Sequence, residues 1–451
     1  MSLRPPSDPG SSGCLLRKHP MTQSKQSPSA RRGSLDLTTT SGTSPGAERP
    51  AGLPPDLGLP HGGLSLATLC AQAGRGERDG EPHFPAIVQS TTFARAGIES
   101  TAEHTYSRAS NPTVSALERA LARLEDAPHA IAFATGLAAE TALFQAVCRA
   151  GDHVVCSRGL YGGTTRLFEQ ILSRAGVRAS FVDTRDLAAL RAALTPATRL
   201  LFLESPANPT LHLTDLAAAA ALARASGAKV CVDNTFLTGA LQRPLDLGAD
   251  ASVISTTKLV EGHSVALGGA VVTRDAALAE ELRFVRKCTG AIQTPFHAWL
   301  TLLGLKTLPL RIARQSESAE HIATWLAERI GAERVHYPTF EDPALAARQH
   351  LGLHGNVLSF ELEGGYERAC AVLRNVRLCT LVEHVGSVET LLTHSASMTH
   401  GGVAPAARRA AGISEELLRL SVGLEDPRDV IADLDRALLA SAKEVASCVP
   451  A

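Results

Sequence analysis

Short apolar runs alternate with longer amphipathic stretches along the chain from about residue 116. The amphipathic stretches carry apolar residues at helical spacing, as in 116–126, 161–176 and 214–227. The apolar runs have the length of single buried strands and cover 131–135, 153–157, 180–184, 200–205, 229–233, 252–256 and 269–273. This alternation predicts an α/β fold, in which βαβ units build a mostly parallel sheet with both faces covered by helices.

The rhythm changes after about residue 306, where long helical patterns predominate. Helices are predicted at 311–331, 404–411 and 427–445, with strands near 356–362. We therefore predict a large α/β domain over residues 116–305 and a smaller α+β domain over residues 306–451.

The N-terminal part of the chain has a different composition. Ser, Pro, Gly and Thr supply 32 of the first 60 residues, and no aromatic residue precedes Phe84. Such a segment cannot bury enough apolar surface to offset the entropy lost on ordering, so we predict that residues 1–60 are disordered. Residues 61–115 then form an N-terminal arm that leads into the regular α/β pattern.

Composition and charge exclude several classes of protein. Lys and Arg (44) nearly balance Asp and Glu (45), whereas a nucleic-acid-binding domain normally carries a basic excess. No apolar run approaches the roughly 18 residues that a membrane-spanning helix needs. The nine cysteines show neither CxxC pairs nor regular spacing, which is typical of reduced thiols. We predict a cytoplasmic protein that binds neither nucleic acid nor membrane.

Chemically reactive residues stand where the predicted strands end, and ligands of open α/β sheets bind beyond those ends. Partial burial of Lys258 would lower the pKa of its amine and make the neutral form needed for Schiff-base chemistry accessible. Asp233 ends the preceding strand and could keep a pyridine nitrogen protonated. Gly136 opens a helix directly after a strand, where backbone N–H groups can bind a phosphate. These three features match the demands of pyridoxal 5'-phosphate (PLP), which we predict as the cofactor.

Other cofactor classes lack their motifs. No GxGxxG sequence follows a predicted strand, and no Walker A sequence is present, which argues against dinucleotide and P-loop nucleotide sites. The 16 histidines are dispersed and no HExxH sequence occurs, so we predict no metal site.

Several segments, taken together and in order, resemble the Cys/Met-metabolism PLP-dependent enzymes. They are YSRASNPT (106–113), LYGGTTRLF (160–168), ESPANPT (204–210), DNTF (233–236), STTKLVEGHS (255–264) and LLRLSVGLEDP (417–427). The family includes cystathionine γ-synthase, cystathionine γ-lyase, methionine γ-lyase and the O-acylhomoserine sulfhydrylases. The resemblance extends from about residue 64 to 445 and implies the fold type I of PLP-dependent transferases, with a large domain and a smaller C-terminal domain.

The resemblance also implies roles for individual residues around the cofactor. Lys258 would bind the cofactor as a Schiff base and move protons on the substrate, and Asp233 would pair with the ring nitrogen. Tyr161 would stack on the ring and assist catalysis. The cofactor phosphate would lie among Gly136, Leu137, Ser255 and Thr257.

A second group of implied roles concerns the neighbouring subunit. Tyr106 and Arg108, on the arm, would reach the phosphate in a neighbouring subunit, which makes the site depend on oligomerisation. A homotetramer built as a dimer of dimers is therefore expected.

The predicted substrate is a small amino acid. The resemblance implies that Arg419 and Asn208 hold its carboxylate, Arg419 as a bidentate fork. Glu383 matches an acid that can bind a distal ammonium group in cystathionine-handling enzymes. His384 stands where the family often has a Ser that contacts the substrate or the lysine.

Three departures from the family pattern bear on the reaction. Thr105 stands where cystathionine enzymes often have an acid, Gly163 stands where methionine γ-lyases typically carry Cys, and Val265 stands where the family usually has Asp. We predict γ-elimination or γ-replacement in trans-sulfuration, of the cystathionine γ-lyase or γ-synthase type. Methionine γ-lyase or O-acylhomoserine sulfhydrylase activity is the alternative, followed by an aminotransferase-like enzyme or a non-catalytic PLP-binding protein.

Overall fold

The computed structural model describes residues 64–76 and 80–448. The predicted disorder of residues 1–60 lies outside these residues. Twelve strands are described: β1 (His129–Phe133), β2 (His153–Ser157), β3 (Arg178–Val182), β4 (Thr198–Glu204), β5 (Lys229–Asp233), β6 (Ala251–Ile254), β7 (Gly269–Thr273), β8 (Val335–His336), β9 (Val357–Glu361), β10 (Thr380–Leu381), β11 (Leu391–His394) and β12 (Leu417–Ser421).

Helices fill most of the intervals between these strands. Those of the first two-thirds are α1 (Leu66–Ala71), α2 (Pro112–Leu124), α3 (Gly136–Val147), α4 (Gly162–Gln170), α5 (Leu187–Ala193), α6 (Leu216–Ser226), α7 (Thr238–Leu241), α8 (Ala276–Thr289) and α9 (Pro295–Leu305). The remaining helices are α10 (Leu308–Ile330), α11 (Pro338–Glu341), α12 (Pro343–Gln349), α13 (Gly365–Asn375), α14 (Pro405–Ala410) and α15 (Pro427–Cys448).

The larger sheet has seven strands in the order β1-β7-β6-β5-β4-β2-β3. The ladders that join β6, β5, β4, β2 and β3 are parallel, whereas β7 runs antiparallel to both of its neighbours. The mostly parallel sheet is thus confirmed, with β7 as the exception. The segment between β6 and β7 contains no helix, and a connection without a crossover helix favours antiparallel strands.

Both faces of this sheet are buried, because alternate side chains of each strand enter different apolar clusters. Leu200 and Phe202 of β4 pack on one face with α3 and α8, whereas Leu201 and Leu203 pack on the other face with α6. A polar residue therefore cannot lie within these strands without losing its contacts with water. Reactive side chains are confined to the strand ends, and β1, β2, β4, β5 and β6 all end at the same edge.

A second sheet of five strands, in the order β10-β11-β12-β9-β8, follows in the C-terminal part. It is mainly antiparallel, and its buried side chains form one cluster with apolar residues of α10, α13 and α15. Its central strand β12 carries Arg419, and the segment between β10 and β11 carries Glu383 and His384. The second sheet therefore delivers side chains to the edge where the strands of the first sheet end.

Two predicted helices have different bounds in the structure. The helix predicted over 161–176 is wrong beyond Gln170, because α4 ends there and a short 3-10 turn leads to Gly176, whose φ is 79°. The helix predicted from residue 116 begins at Pro112, since Asn111 caps it by accepting the Thr113 N–H at 3.0 Å. Within the described residues, no helix is both long and apolar enough to cross a membrane.

Candidate active site

Lys258 lies in the turn that follows β6. Its own N–H donates to the Ser255 carbonyl (3.2 Å), and its carbonyl accepts the Gly262 N–H (2.8 Å), so the backbone on both sides is held. Burial, and after it the positive charge of Arg419, lower the pKa of its amine to about 8. A large fraction of this amine is therefore neutral at mildly alkaline pH, as a nucleophilic lysine requires.

Asp233, the last residue of β5, supplies a buried carboxylate. Its Oδ1 accepts the Thr235 N–H at 2.9 Å, and burial raises the pKa of the carboxyl. In the described part of the chain no basic side chain forms an ion pair with it. A protonated ring nitrogen is the kind of partner that would stabilise its charged form.

A phosphate cradle lies between the first turn of α3 and the turn after β6. The backbone N–H groups of Gly136 and Leu137 occupy the first two positions of α3, where no helical carbonyl is in reach. The cap, Thr135, accepts the Ala138 N–H with its side chain (3.0 Å). A Cβ on Gly136 would lie 2.8 Å from the Ser255 Cβ and 2.9 Å from its Oγ, so glycine lets this hydroxyl approach the helix end.

The hydroxyl of Thr257 is engaged with the loop that leads to β7. Its Oγ1 donates to the Gly268 carbonyl (3.0 Å) and accepts the Gly268 N–H (3.0 Å). Since a hydroxyl has a single proton, Thr257 would have to exchange the first of these bonds to donate to a phosphate.

Tyr161 caps the N-terminus of α4, close to the same edge of the sheet. Its backbone N–H donates to Glu204 Oε2 at 2.8 Å. A Cβ on Gly163 would lie well inside van der Waals contact with Cε1 of the Tyr161 ring, and 3.1 Å from Leu137 Cδ1. The glycine therefore determines where the Tyr161 ring can lie.

Glu204, at the end of β4, is a site residue that the sequence analysis missed. Its second oxygen, Oε1, accepts the Asn208 N–H at 3.1 Å, so one carboxylate holds the backbone of both Tyr161 and Asn208. Burial, followed by the charge of Asp233, raises its pKa well above the usual value. The sequence does mark this residue, because Glu204 ends an apolar run in the same way as Asp233.

Arg419 is 2% exposed and lies in the middle of β12. Its Nη1 donates to Asn208 Oδ1 (2.8 Å), and its Nη2 donates to the His384 carbonyl and to Thr393 Oγ1 (both 3.2 Å). Nε is buried without a partner in the described part of the chain, and no carboxylate there forms an ion pair with the guanidinium. Burial lowers its pKa to about 10. Such a group is ready to bind an anion.

His384 and Glu383 lie beside this arginine. His384 Nδ1 is 3.1 Å from Lys258 Nζ, which places the histidine against the reactive amine. The Glu383 side chain is exposed, and its negative charge acts on Arg419.

Tyr106 and Arg108 are not brought to Lys258 within one chain. Tyr106 is 44% exposed, and the Arg108 guanidinium lies 5.2 Å from the centre of its ring. Arg108 Nη1 donates to the Lys287 carbonyl at 2.6 Å. Both side chains belong to the exposed surface of the arm.

The residues at this edge of the sheet fit PLP. One amine with a lowered pKa can bind an aldehyde, one buried carboxylate can face a ring nitrogen, and the start of α3 offers unpaired N–H groups beside a hydroxyl. Arg419, which is buried and forms no ion pair with a carboxylate of the described residues, could in addition bind a carboxylate ligand.

Comparison with known proteins agrees with this geometry. Residues 67–439 match the family described as Cys/Met metabolism PLP-dependent enzyme. The chain is 39% identical to the O-succinylhomoserine sulfhydrylase of Pseudomonas aeruginosa over 389 residues, which is 84% of this chain and 96% of that protein. It is 41% identical to the cystathionine γ-lyase of Mus musculus over 359 residues, covering 79% and 90% of the two chains.

One solved structure is about as similar to this chain as the two relatives just named. The cystathionine γ-synthase of Xanthomonas oryzae pv. oryzae in complex with cystathionine superposes with a TM-score of 0.81 and 39% sequence identity, covering 84% of this chain and 99% of that one. The predicted family, the fold type I architecture and the PLP dependence are thereby confirmed. The chain belongs to the Cys/Met metabolism family of PLP-dependent enzymes.

Proposed function

We propose that the protein catalyses γ-elimination or γ-replacement on an α-amino acid, with cystathionine γ-lyase or γ-synthase chemistry. The observation that carries the proposal is the buried Arg419 guanidinium beside the amine of Lys258. Its unpaired Nε and the lack of a carboxylate partner in the described residues suit a substrate carboxylate, which would place the α-carbon near the amine. The relatives named above act on γ-substituted amino acids according to their names.

Each residue contributes through position or proton transfer. When bound, PLP supplies an electron sink for charge that develops on the substrate carbons. The Lys258 amine, with its pKa near 8, can take up and release protons close to neutral pH. Asp233 would face the ring nitrogen and keep its proton in place. Arg419 and Asn208 would orient the carboxylate, and Tyr161 would cover the ring.

The Glu383 carboxylate favours a substrate with a second, distal ammonium group. It is exposed and close enough for its charge to act on Arg419, so it can meet the far end of an amino acid that Arg419 holds. Cystathionine has such an ammonium group, whereas methionine does not. This supports the cystathionine reactions over the methionine γ-lyase alternative.

We also infer that the enzyme is a homotetramer with active sites shared between subunits. The exposed position of Tyr106 and Arg108 on the arm of residues 61–115 supports a role in a neighbouring subunit. The division into a PLP-binding domain (116–305) and a C-terminal domain (306–451) agrees with the two sheets. A cytoplasmic location is supported by seven cysteines, from Cys70 to Cys379, which are free thiols.

Product identification tests the proposal directly. The purified enzyme is incubated with L-cystathionine, with L-methionine, and with an O-acylhomoserine plus cysteine. We expect a 2-oxo acid and ammonia, or a thioether, from a γ-substituted substrate. Exchange of the amino group without loss of the γ-substituent would indicate an aminotransferase instead, and protein that stays colourless with added PLP would indicate a degenerate site.

The matched variant Glu383→Gln tests the substrate class. Losing a charge-assisted contact should lower kcat/KM for cystathionine by roughly 10- to 100-fold. Binding of L-norleucine, which has no distal ammonium group, should be unchanged and serves as the control. Equal losses with cystathionine and norleucine would contradict the proposed role of Glu383.

A further inference from the structure

A histidine in contact with the reactive lysine is a feature of this chain. His384 Nδ1 lies 3.1 Å from Lys258 Nζ, and the His384 carbonyl accepts from Arg419 Nη2 at 3.2 Å. The imidazole and its peptide group are therefore held between the amine and the carboxylate-binding arginine. A serine, which is common at this position in the family, has a hydroxyl that can rotate to donate or accept, whereas a neutral imidazole has one donor and one acceptor in fixed directions.

The charges around the imidazole determine which nitrogen accepts. Burial, and then the positive charges of Lys258 and Arg419, lower the pKa of His384 to about 4, so the ring is neutral at physiological pH. The Lys258 amine carries N–H donors in both of its protonation states, and its charged form has no lone pair. Towards the charged amine, which predominates below about pH 8, Nδ1 must therefore accept, and the ring proton then lies on Nε2.

This tautomer has two consequences. When the amine is neutral, the bond uses one of its N–H groups, so its lone pair stays free to attack an aldehyde or remove a proton. At the other end of the ring, the Nε2–H group is buried and has no acceptor in the described part of the chain. An unpartnered buried donor needs an acceptor from a ligand or from water.

We propose that His384 is a positioning residue that holds the Lys258 amine through Nδ1 and thereby presents its Nε2–H group to the carboxylate of the bound amino acid. The carboxylate is the acceptor concerned because Arg419, which would bind it, contacts the same residue. This proposal deepens the function proposed above and rests on it for the identity of the ligand. The contact between His384 and Lys258 can be tested independently of that proposed function.

The contact is tested on the full-length protein freed of PLP. The pH dependence of Lys258 labelling by cyanate, followed by mass spectrometry, reports the pKa of its amine. Asn and Leu have nearly the same shape, but only the Asn oxygen can replace Nδ1 as an acceptor. Since Nδ1 stabilises the charged amine, His384→Leu should lower the Lys258 pKa by about one to two units, and His384→Asn should keep it within about 0.3 unit.

Two results would overturn the role in holding Lys258. One is an unchanged Lys258 pKa in His384→Leu, and the other is an equal fall in both variants. If His384→Leu does not fold, His384→Gln replaces it, because its longer side chain moves the amide away from the Nδ1 position. Labelling needs neither cofactor nor turnover, so a failure here is distinct from a failure of the proposed function.

The donor role is tested on the PLP-loaded enzyme with L-norleucine, whose side chain has no hydrogen-bonding atom. The dissociation constant is read from the change in the visible absorbance of the cofactor. His384→Asn lacks the outer nitrogen and should weaken binding roughly tenfold, whereas His384→Gln, with its amide near the Nε2 position, should restore most of the affinity. Equal affinity of the parent enzyme and His384→Asn would overturn the donor role.

Discussion

Replacing Arg419 by methionine should separate ligand binding from stability. Arg419 is buried, donates three hydrogen bonds to neutral acceptors and forms no ion pair with a described carboxylate. Methionine has a similar length and no charge. We expect Arg419→Met to leave the ligand-free protein about as stable as the parent and to abolish productive binding of amino acids.

The magnitude follows from the pKa of the guanidinium. Burial lowers it from its ordinary value to about 10, and this difference corresponds to about 3 kcal/mol. Because this base is protonated more readily in the unfolded chain, the charge destabilises the fold at all pH values below about 10, and the effect disappears as pH rises towards the ordinary pKa of an arginine. Methionine removes this cost but loses three hydrogen bonds from a charged donor, worth at least about 1.5 kcal/mol each. The two changes largely cancel and leave a net loss of about 1–2 kcal/mol.

In ligand binding, no favourable change offsets the loss of the guanidinium. The carboxylate of an amino acid restores a favourable partner to the guanidinium, and about 3 kcal/mol corresponds to roughly a 100-fold change in affinity. Isothermal titration with L-norleucine, which has no leaving group at its γ-carbon and is not converted, and urea unfolding at pH 7 measure the two effects. We expect the free energy of unfolding to change by less than about 2 kcal/mol and the affinity to fall by about 100-fold or more.

Arg286→Met provides the control for stability. Arg286 is equally buried but is paired with Glu118, and it also donates to the Ala132 carbonyl. Its loss leaves a carboxylate without its cation, which should destabilise the protein by about 3–5 kcal/mol. If Arg419→Met destabilised the ligand-free protein as much as Arg286→Met, or bound amino acids normally, the reasoning about an unpaired guanidinium would be refuted.

Further predictions concern the ring, the shared site and pH. Gly163→Ala should push the Tyr161 ring aside, lowering kcat/KM roughly 10- to 100-fold while thermal unfolding changes little; normal kinetics would contradict the contact. Lys258→Ala should abolish turnover and bind PLP without a covalent bond, as denaturing mass spectrometry would show. Arg108→Ala should bind PLP weakly, and mixing it with Lys258→Ala should regain activity; no recovery would count against a site shared between subunits. The rate of covalent PLP attachment to Lys258, followed by absorbance, should rise about tenfold per pH unit up to about pH 8 and then level off, because only the neutral amine reacts. A rate that kept rising above pH 8 towards the ordinary lysine pKa of 10.5 would refute the lowered pKa.

The reactive residues at the ends of single strands could be found without coordinates. Lys258 and Asp233 follow apolar runs, and Gly136 begins a helix after one, so each is marked by its local surroundings. The same rule selects Glu204, which ends the apolar run of β4. The antiparallel direction of β7 could not be read in this way, since an apolar run has the same pattern in either direction.

The local sequence pattern could not predict the contacts between the two sheets. His384 meets Lys258 across 126 positions, and Arg419 meets Asn208 across 211. A resemblance to the family placed these residues in one site and left open whether the residue at position 384 contacts the substrate or the lysine. The structure brings the His384 ring to the lysine amine.

The amino-acid sequence by itself determined the periodicity of each element, the strand ends where polar groups can stay, and hence the chemistry available to the site. Only the tertiary structure decided which of those groups touch, and which of them lack a partner. The physical reason is that periodicity depends on neighbours a few residues apart, whereas hydrogen-bond geometry and burial depend on how two sheets pack. The pKa of Lys258, lowered by burial and by Arg419 on the other sheet, is a property of that packing.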